Sequence, residues 1–225
     1  MDSMTDRGGG TGGPLTHVRW IAGGTGAGKS TVAAALAERY GVRVYDGDRA
    51  EHRWLARCTP DRHPHLHAAR DRPPGALWAE RSPQEVFAGM ASLQGETVGF
   101  LAEDLAAAPS DRITVVDYFG ILPGHLLPLL HRPDHAVFLV PTAGFRARKL
   151  RERYADPARA RANWGDQDPE AMLAKRLARD ALWDDEVRRQ ARAHGLDVIT
   201  VDGHTPAADI TRRLAGRFGL EPARR

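Results

Sequence analysis

The sequence predicts an α/β fold in which a parallel sheet is covered by helices. Two observations carry this. From His17 onward, short β-rich apolar runs alternate with longer helical patterns, as in successive strand–helix units. A glycine-rich segment ending in Gly28-Lys29-Ser30 stands between the first such run and the first helical pattern. In chain order the strands are expected at 17–22, 42–45, 113–116, 136–140 and 198–201. The helices are expected at 29–40, 48–57, 83–108, 142–154, 169–194 and 206–218. Several helix starts carry their own signals: Ser82, Asp168 and Thr205 each precede a proline, and Ser82-Pro83-Gln84-Glu85 has the capping-box spacing.

Length and composition bound the rest. The 225 residues are 42% hydrophobic and 27% charged, which suits one compact domain with insertions over 17–219 and excludes a chain disordered throughout. Residues 1–16, rich in Gly and Thr, read as a flexible tail, and 220–225 as a short C-terminal one. The stretch 59–80, with its prolines and closely spaced histidines, fits no period and reads as an irregular insertion. No apolar run approaches the ~18 residues of a membrane span, and the N-terminus lacks a basic segment followed by an apolar one. A cytoplasmic protein without a membrane partner is expected. Cys58 is the single cysteine, so no intrachain disulfide forms. A net charge of +3 does not announce a nucleic-acid partner. Arginine nevertheless far outnumbers lysine and is dense between Arg146 and Arg161.

The strongest signal is Gly23-Gly24-Thr25-Gly26-Ala27-Gly28-Lys29-Ser30-Thr31, which satisfies G-x-x-x-x-G-K-[ST] between strand and helix. Glycines let successive N–H groups converge on phosphate oxygens, and the helix that follows presents its positive end. Lys29 is then placed for the outer phosphates and the Ser30 hydroxyl for Mg²⁺. Without nucleotide, Lys29 is expected to face solvent. Asp117, which follows four β-favouring residues, is a second candidate metal ligand, or simply a strand-ending turn residue.

With these pieces the chain resembles the P-loop kinases that carry a lid, the group containing adenylate kinase, shikimate kinase and chloramphenicol phosphotransferase. The resemblance spans 17–219 unevenly and rests on GGTGAGKST, on Asp166–Leu177 (DQDPEAMLAKRL) and on Val201-Asp202-Gly203-His204-Thr205-Pro206. It implies a three-layer P-loop NTPase fold with strand order 2-3-1-4-5 and an arginine-rich lid at 155–168. It also implies ATP and Mg²⁺ as cofactors, adenine against Arg148 and Gly203, and Arg153, Arg161, Arg176 and Arg179 at the transferring phosphate. The same arginines fit a solvated helix face, with Arg146, Lys149 and Arg153 together on one outer side.

Departures from the group are as informative. Adenylate kinases bind an acceptor phosphate with arginines after strands 2 and 3; here Glu51 and Ile121 stand in those places. Asp48 instead suits a hydroxyl acceptor as general base, with Asp46 as its competitor and helix N-capping as a compatible role for Asp48. His63, His65 and His67 stand at i, i+2, i+4 and could bind a metal from an extended segment, but nothing completes a structural site. Trp54, Trp78 and Phe87 either line an acceptor pocket or pack the insertion. The resemblance thus implies an ATP-dependent kinase for a hydroxyl of a small metabolite or antibiotic, acting as monomer or homodimer. The alternatives are a nucleoside or nucleotide kinase, a nucleotide-binding switch, and a toxin-like kinase acting on a cell-wall precursor.

Overall fold

The computed structural model of the chain describes residues 15–223. The N-terminal tail expected at 1–16 therefore lies almost wholly outside the described residues. Leu15 is already tied down, its N–H donating to the Leu129 carbonyl at 3.1 Å and its side chain packing on the core. At the other end Leu220 packs on the core, and the Ala223 N–H donates to the Arg39 carbonyl at 3.2 Å.

Strand β1 (Val18–Gly23) leads through the glycine-rich turn into helix α1 (Lys29–Tyr40), which stops at Gly41 in the left-handed region. Strand β2 (Arg43–Asp46) runs directly into α2 (Gly47–Leu55). Four short or medium helices follow: α3 (Pro64–Arg70), α4 (Ala76–Ala79), α5 (Pro83–Ala88) and α6 (Val98–Ala107). Then come β3 (Thr114–Asp117), the single turn α7 (Pro123–Leu126) and β4 (Ala136–Pro141). Helices α8 (Ala143–Tyr154), α9 (Pro157–Trp164) and α10 (Pro169–Ala193) precede β5 (Val198–Val201) and α11 (Ala207–Arg217).

The five strands form one parallel sheet in the order β2-β3-β1-β4-β5. Its register aligns Asp117 with Ile21 on one side and Asp46 on the other, so the carboxyl ends of β1, β2 and β3 open at one edge. In open α/β sheets that edge, where strand order reverses, is where ligands bind. One core, with Trp20, Trp54, Leu101, Phe138 and Trp183, covers one face of the sheet. A second, with Ile21, Leu36, Val137, Leu214 and Phe218, covers the other. A third, smaller cluster of Trp78, Val86, Ala160, Trp164 and Met172 joins segments 59–80 and 155–168 to α10. Among the described residues no helix is long and apolar enough to cross a membrane.

Local departures from the sequence expectations have physical causes. The helix expected over 83–108 is interrupted between Ala88 and Val98, where Gly89 caps the first piece and Gly95 takes a left-handed φ of 75°. The capping box at Ser82 is present, with Ser82 Oγ accepting from the Glu85 N–H and the Glu85 carboxylate accepting from the Ser82 N–H at 2.8 Å. Segment 59–80 holds two helices, α3 and α4, each seated on a buried residue, Leu66 and Trp78. Helix α11 starts after Pro206, so Thr205 is not its cap.

Candidate active site

The turn after β1 is built by close approach. A Cβ at Gly23, whose φ is 113°, would run into the Leu139 carbonyl, and the Gly24 N–H donates to that same oxygen at 2.8 Å. Gly28, at φ 82°, supplies the left-handed residue from which α1 departs. Lys29 is 8% exposed, and its Nζ donates to the Gly24 carbonyl at 3.0 Å. It thus folds back under the loop rather than facing solvent as the sequence suggested. Burial lowers its pKa, and the carboxylates of Asp48, Asp117 and Asp184 act against that shift.

Asp117 ends β3 beside this lysine and is buried, which raises its pKa; the Ser30 hydroxyl and Lys29 partly offset the effect. A hydroxyl and a carboxylate paired in this way fit Mg²⁺, which typically takes one or two protein ligands and completes its shell with phosphate oxygens and water. Among the described residues no group of three His, Cys, Asp or Glu is placed to hold a metal alone. His63 stacks on Phe100 at 4.6 Å, and His65 Nδ1 contacts Glu96 at 2.6 Å. His63 stands at the N-cap of α3 and His65 in its first turn, so the segment is not extended and the two rings meet different partners.

The two aspartates after β2 take different places. Asp46 is the N-cap of α2, its Oδ1 accepting from the Arg49 N–H at 2.9 Å, which corrects the capping role expected of Asp48. Asp48, in the first turn, accepts from the Phe119 N–H at 3.4 Å and lines a hollow of about 340 Å³. Its other lining residues are Thr25, Gly26, Gly28, Lys29, Ser30, Thr31, Phe119, Arg153, Arg176 and Arg179. Candidate base, phosphate loop and three of the four sequence-predicted arginines therefore face one space. Arg161 does not: its side chain is 76% exposed and pairs with Asp166 at 3.2 Å. Arg146 is likewise not on an outer face, since it is 4% exposed and ion-paired with Asp184.

A second hollow adjoins the first and shares Gly26, Gly28, Thr31 and Arg153 with it. It contains Ala27, Phe145, Arg148, Gly203, Thr205, Pro206 and Ile210. The Arg148 guanidinium lies over the Phe145 ring at 5.1 Å, and a Cβ on Gly203, at φ 92°, would strike both side chains. This hollow beside the loop combines apolar side chains such as Val32, Phe145 and Ile210 with the charged Arg148, Lys149, Glu152 and Arg159, a mixed lining that suits a ring with polar edges.

Several residues around the site were not singled out from the sequence. Phe119 stacks on Trp183 at 4.6 Å and forms a wall of the first hollow. The Tyr118 hydroxyl donates to Glu51 at 3.4 Å; burial, and then the charge of Asp48, push the Glu51 carboxyl up to about 7. Asp184 Oδ1 faces Gly24 and has no hydrogen-bond partner among the described residues, and burial pushes this carboxyl up to about 7 despite Arg146. The signal present in sequence was the i, i+4, i+8 spacing of Arg176, Asp180 and Asp184, which sets them on one side of α10.

The sheet order, the loop after β1 and the arginines of α8 and α10 define a P-loop kinase-like fold. No family model matches the chain, and no curated protein matches it in sequence. Among solved structures it is similar to a Deinococcus radiodurans tunicamycin resistance protein at 15% identity and a TM-score of 0.44, covering 95% of this chain and 100% of that one. It is also similar to a gluconokinase from Sinorhizobium meliloti 1021 at 16% identity and a TM-score of 0.41, covering 93% of each.

Proposed function

We propose that the protein is an ATP- and Mg²⁺-dependent phosphotransferase that phosphorylates a hydroxyl group of a small molecule, a metabolite or an antibiotic. The observation that carries this is the position of Asp48: a carboxylate on the acceptor side of the hollow that also holds Lys29, Ser30, Arg153, Arg176 and Arg179. In this reading the base of ATP enters the second hollow against Arg148 and the segment at Gly203, and its phosphates follow the loop to Lys29. Mg²⁺, held by Ser30 and Asp117 with phosphate oxygens, supplies charge neutralisation when bound. Asp48 accepts the proton of the attacking hydroxyl, a contribution of roughly 10²–10⁴-fold. Arg153, Arg176 and Arg179 stabilise charge spreading over the transferring oxygens.

The acceptor side also bears on what is phosphorylated. Glu51 and the fully buried Ile121 occupy the positions where an acceptor phosphate would need cations. Arg53 and Arg57 are turned to Asp104, at 3.5 and 3.4 Å, and do not reach that side. Burying the roughly two negative charges of a monophosphate beside Asp48 and Glu51 without paired cations costs several kcal/mol, so a neutral or cationic acceptor is favoured. The test incubates the protein with ATP·Mg²⁺ and a panel of nucleosides, nucleoside monophosphates, sugars, aminocyclitols and phenicols, reading ADP release and product mass. A phosphorylated alcohol is expected. ADP formation that no acceptor stimulates would replace the kinase reading with a nucleotide switch, and a monophosphate as best acceptor would overturn the charge argument.

A further inference from the structure

Helix α10 carries a carboxylate, Asp180, that touches neither hollow yet stands directly behind both arginines that the helix sends into the first one. Asp180 is 0% exposed. Its Oδ1 lies 2.7 Å from Arg179 Nη2, and its Oδ2 lies 3.8 Å from Arg176 Nε. Its backbone carbonyl accepts from Arg146 Nη1 at 3.0 Å. The two arginines are held from the other side as well. The Arg179 guanidinium sits between the Trp78 ring at 5.1 Å and the Phe119 ring at 5.5 Å, and its Nη1 contacts Met90 Sδ at 3.1 Å. Arg176 Nη1 donates to the Tyr154 hydroxyl at 2.7 Å.

A fold-only explanation of Asp180 is weak on energetic grounds. A fully buried carboxylate is expensive unless hydrogen bonds satisfy it, and neither Asp180 oxygen has an aligned hydrogen bond among the described residues. What the carboxylate does supply is a fixed anion that orients two planar guanidinium groups before any ligand arrives. Such preorganisation matters most for groups that act on charge developing in the transition state.

We infer that Asp180 is a positioning residue for phosphoryl transfer: it sets Arg176 and Arg179 at the place where the transferring group passes, without touching substrate itself. This inference rests on the phosphotransferase reading above. The two are separated by comparing affinity for ADP·Mg²⁺ with affinity for ADP·Mg²⁺·aluminium fluoride, a mimic of the transferring phosphoryl, by titration calorimetry on the full chain.

The wild-type protein is expected to prefer the fluoride complex. Asp180→Asn is expected to keep its ADP affinity within about threefold while losing at least about tenfold of that preference. If Asp180 acts through Arg179, Asp180→Asn combined with Arg179→Ala should lose little more preference than Arg179→Ala alone. A wild-type protein with no fluoride preference would remove the phosphotransferase reading. A wild-type protein that has the preference, with Asp180→Asn retaining it in full or adding independently to Arg179→Ala, would overturn the positioning role alone. Should Asp180→Asn fail to fold, Asp180→Glu carries the test, because it keeps the charge but displaces the carboxylate by one methylene. A reduced preference is expected there, and an undiminished one overturns the inference.

Discussion

Replacing Glu51 by glutamine tests the electrostatics of the acceptor side through stability, with no knowledge of the acceptor. Glu51 and Asp48 lie three residues apart on α2, and burial together with the Asp48 charge pushes the Glu51 carboxyl up from 4.5 to about 7. A carboxyl whose pKa is raised in the folded state takes up a proton on folding at intermediate pH. Its ionisation therefore withdraws stability as pH rises through the window from about 4.5 to about 7. At about 1.4 kcal/mol per pKa unit, the wild-type protein loses on the order of 2–3 kcal/mol through this one group between about pH 5 and about pH 8.5. Glutamine cannot ionise and still offers the Tyr118 hydroxyl an acceptor, while Asp184 titrates alike in both proteins and cancels. The assay is urea unfolding of both proteins at the two pH values. The advantage of Glu51→Gln over wild type should be greater at the higher pH by about 2 kcal/mol, or roughly 4–8 °C in Tm for a domain of this size. An advantage that is equal at both pH values, or smaller at the higher one, would refute the buried, charge-coupled state of Glu51.

Lys29→Ala should lower ATP turnover by at least about 10²-fold, while circular dichroism shows an intact fold, because the substitution removes a desolvated cation whose one strong contact is the Gly24 carbonyl. Asp48→Asn should leave ATP affinity near wild type and reduce transfer to the best acceptor by roughly 10²–10⁴-fold, whereas Asp46→Asn should retain activity because asparagine is also a good N-cap. The reverse ranking in steady-state kinetics would exchange the two roles. Gly203→Ala should raise KM for ATP several-fold with kcat little changed, since its methyl group would push Phe145 and Arg148 out of the second hollow; a selective loss of kcat would remove that hollow from ATP binding.

The parts of the molecule legible in sequence were those encoded locally. The parallel strands read correctly because β4 and β1 are buried at every position and so appear as continuous apolar runs. The glycine-rich turn between β1 and α1 was legible because Gly23 and Gly28 answer to a local backbone geometry. The break between α5 and α6 was missed because Gly89 and Gly95 interrupt a pattern whose apolar spacing otherwise continues. Thr205 was misread as a cap because Thr-Pro is a common helix opening, yet here Pro206 stands outside the helix. The back of the site was not legible because its contacts are non-local: Arg146 meets Asp184 across 38 positions, and Arg179 reaches Trp78 across two intervening strands and several helices. The solvent-facing Lys29 failed for the same reason, since the groups around it, among them Asp117 of β3, Asp48 of α2 and Asp184 of α10, come from distant parts of the chain.

Those non-local contacts also bind the two sides of the site to each other. Gly75, at φ 83°, donates its N–H to the Asn163 carbonyl at 3.1 Å, and its α-carbon lies so close to the Trp164 carbonyl that a Cβ would collide with it. Trp164 packs on Tyr154 with ring centroids 4.3 Å apart, and the Tyr154 hydroxyl receives Arg176. From segment 59–80 the path to Arg176 thus runs through three successive contacts. Trp164 is 1% exposed and shares its cover with Trp78 and Met172, so segment 155–168 does not lift without exposing the apolar surface that seats segment 59–80. The fold thus joins segments 59–80 and 155–168 in one packed unit rather than in two independent flaps.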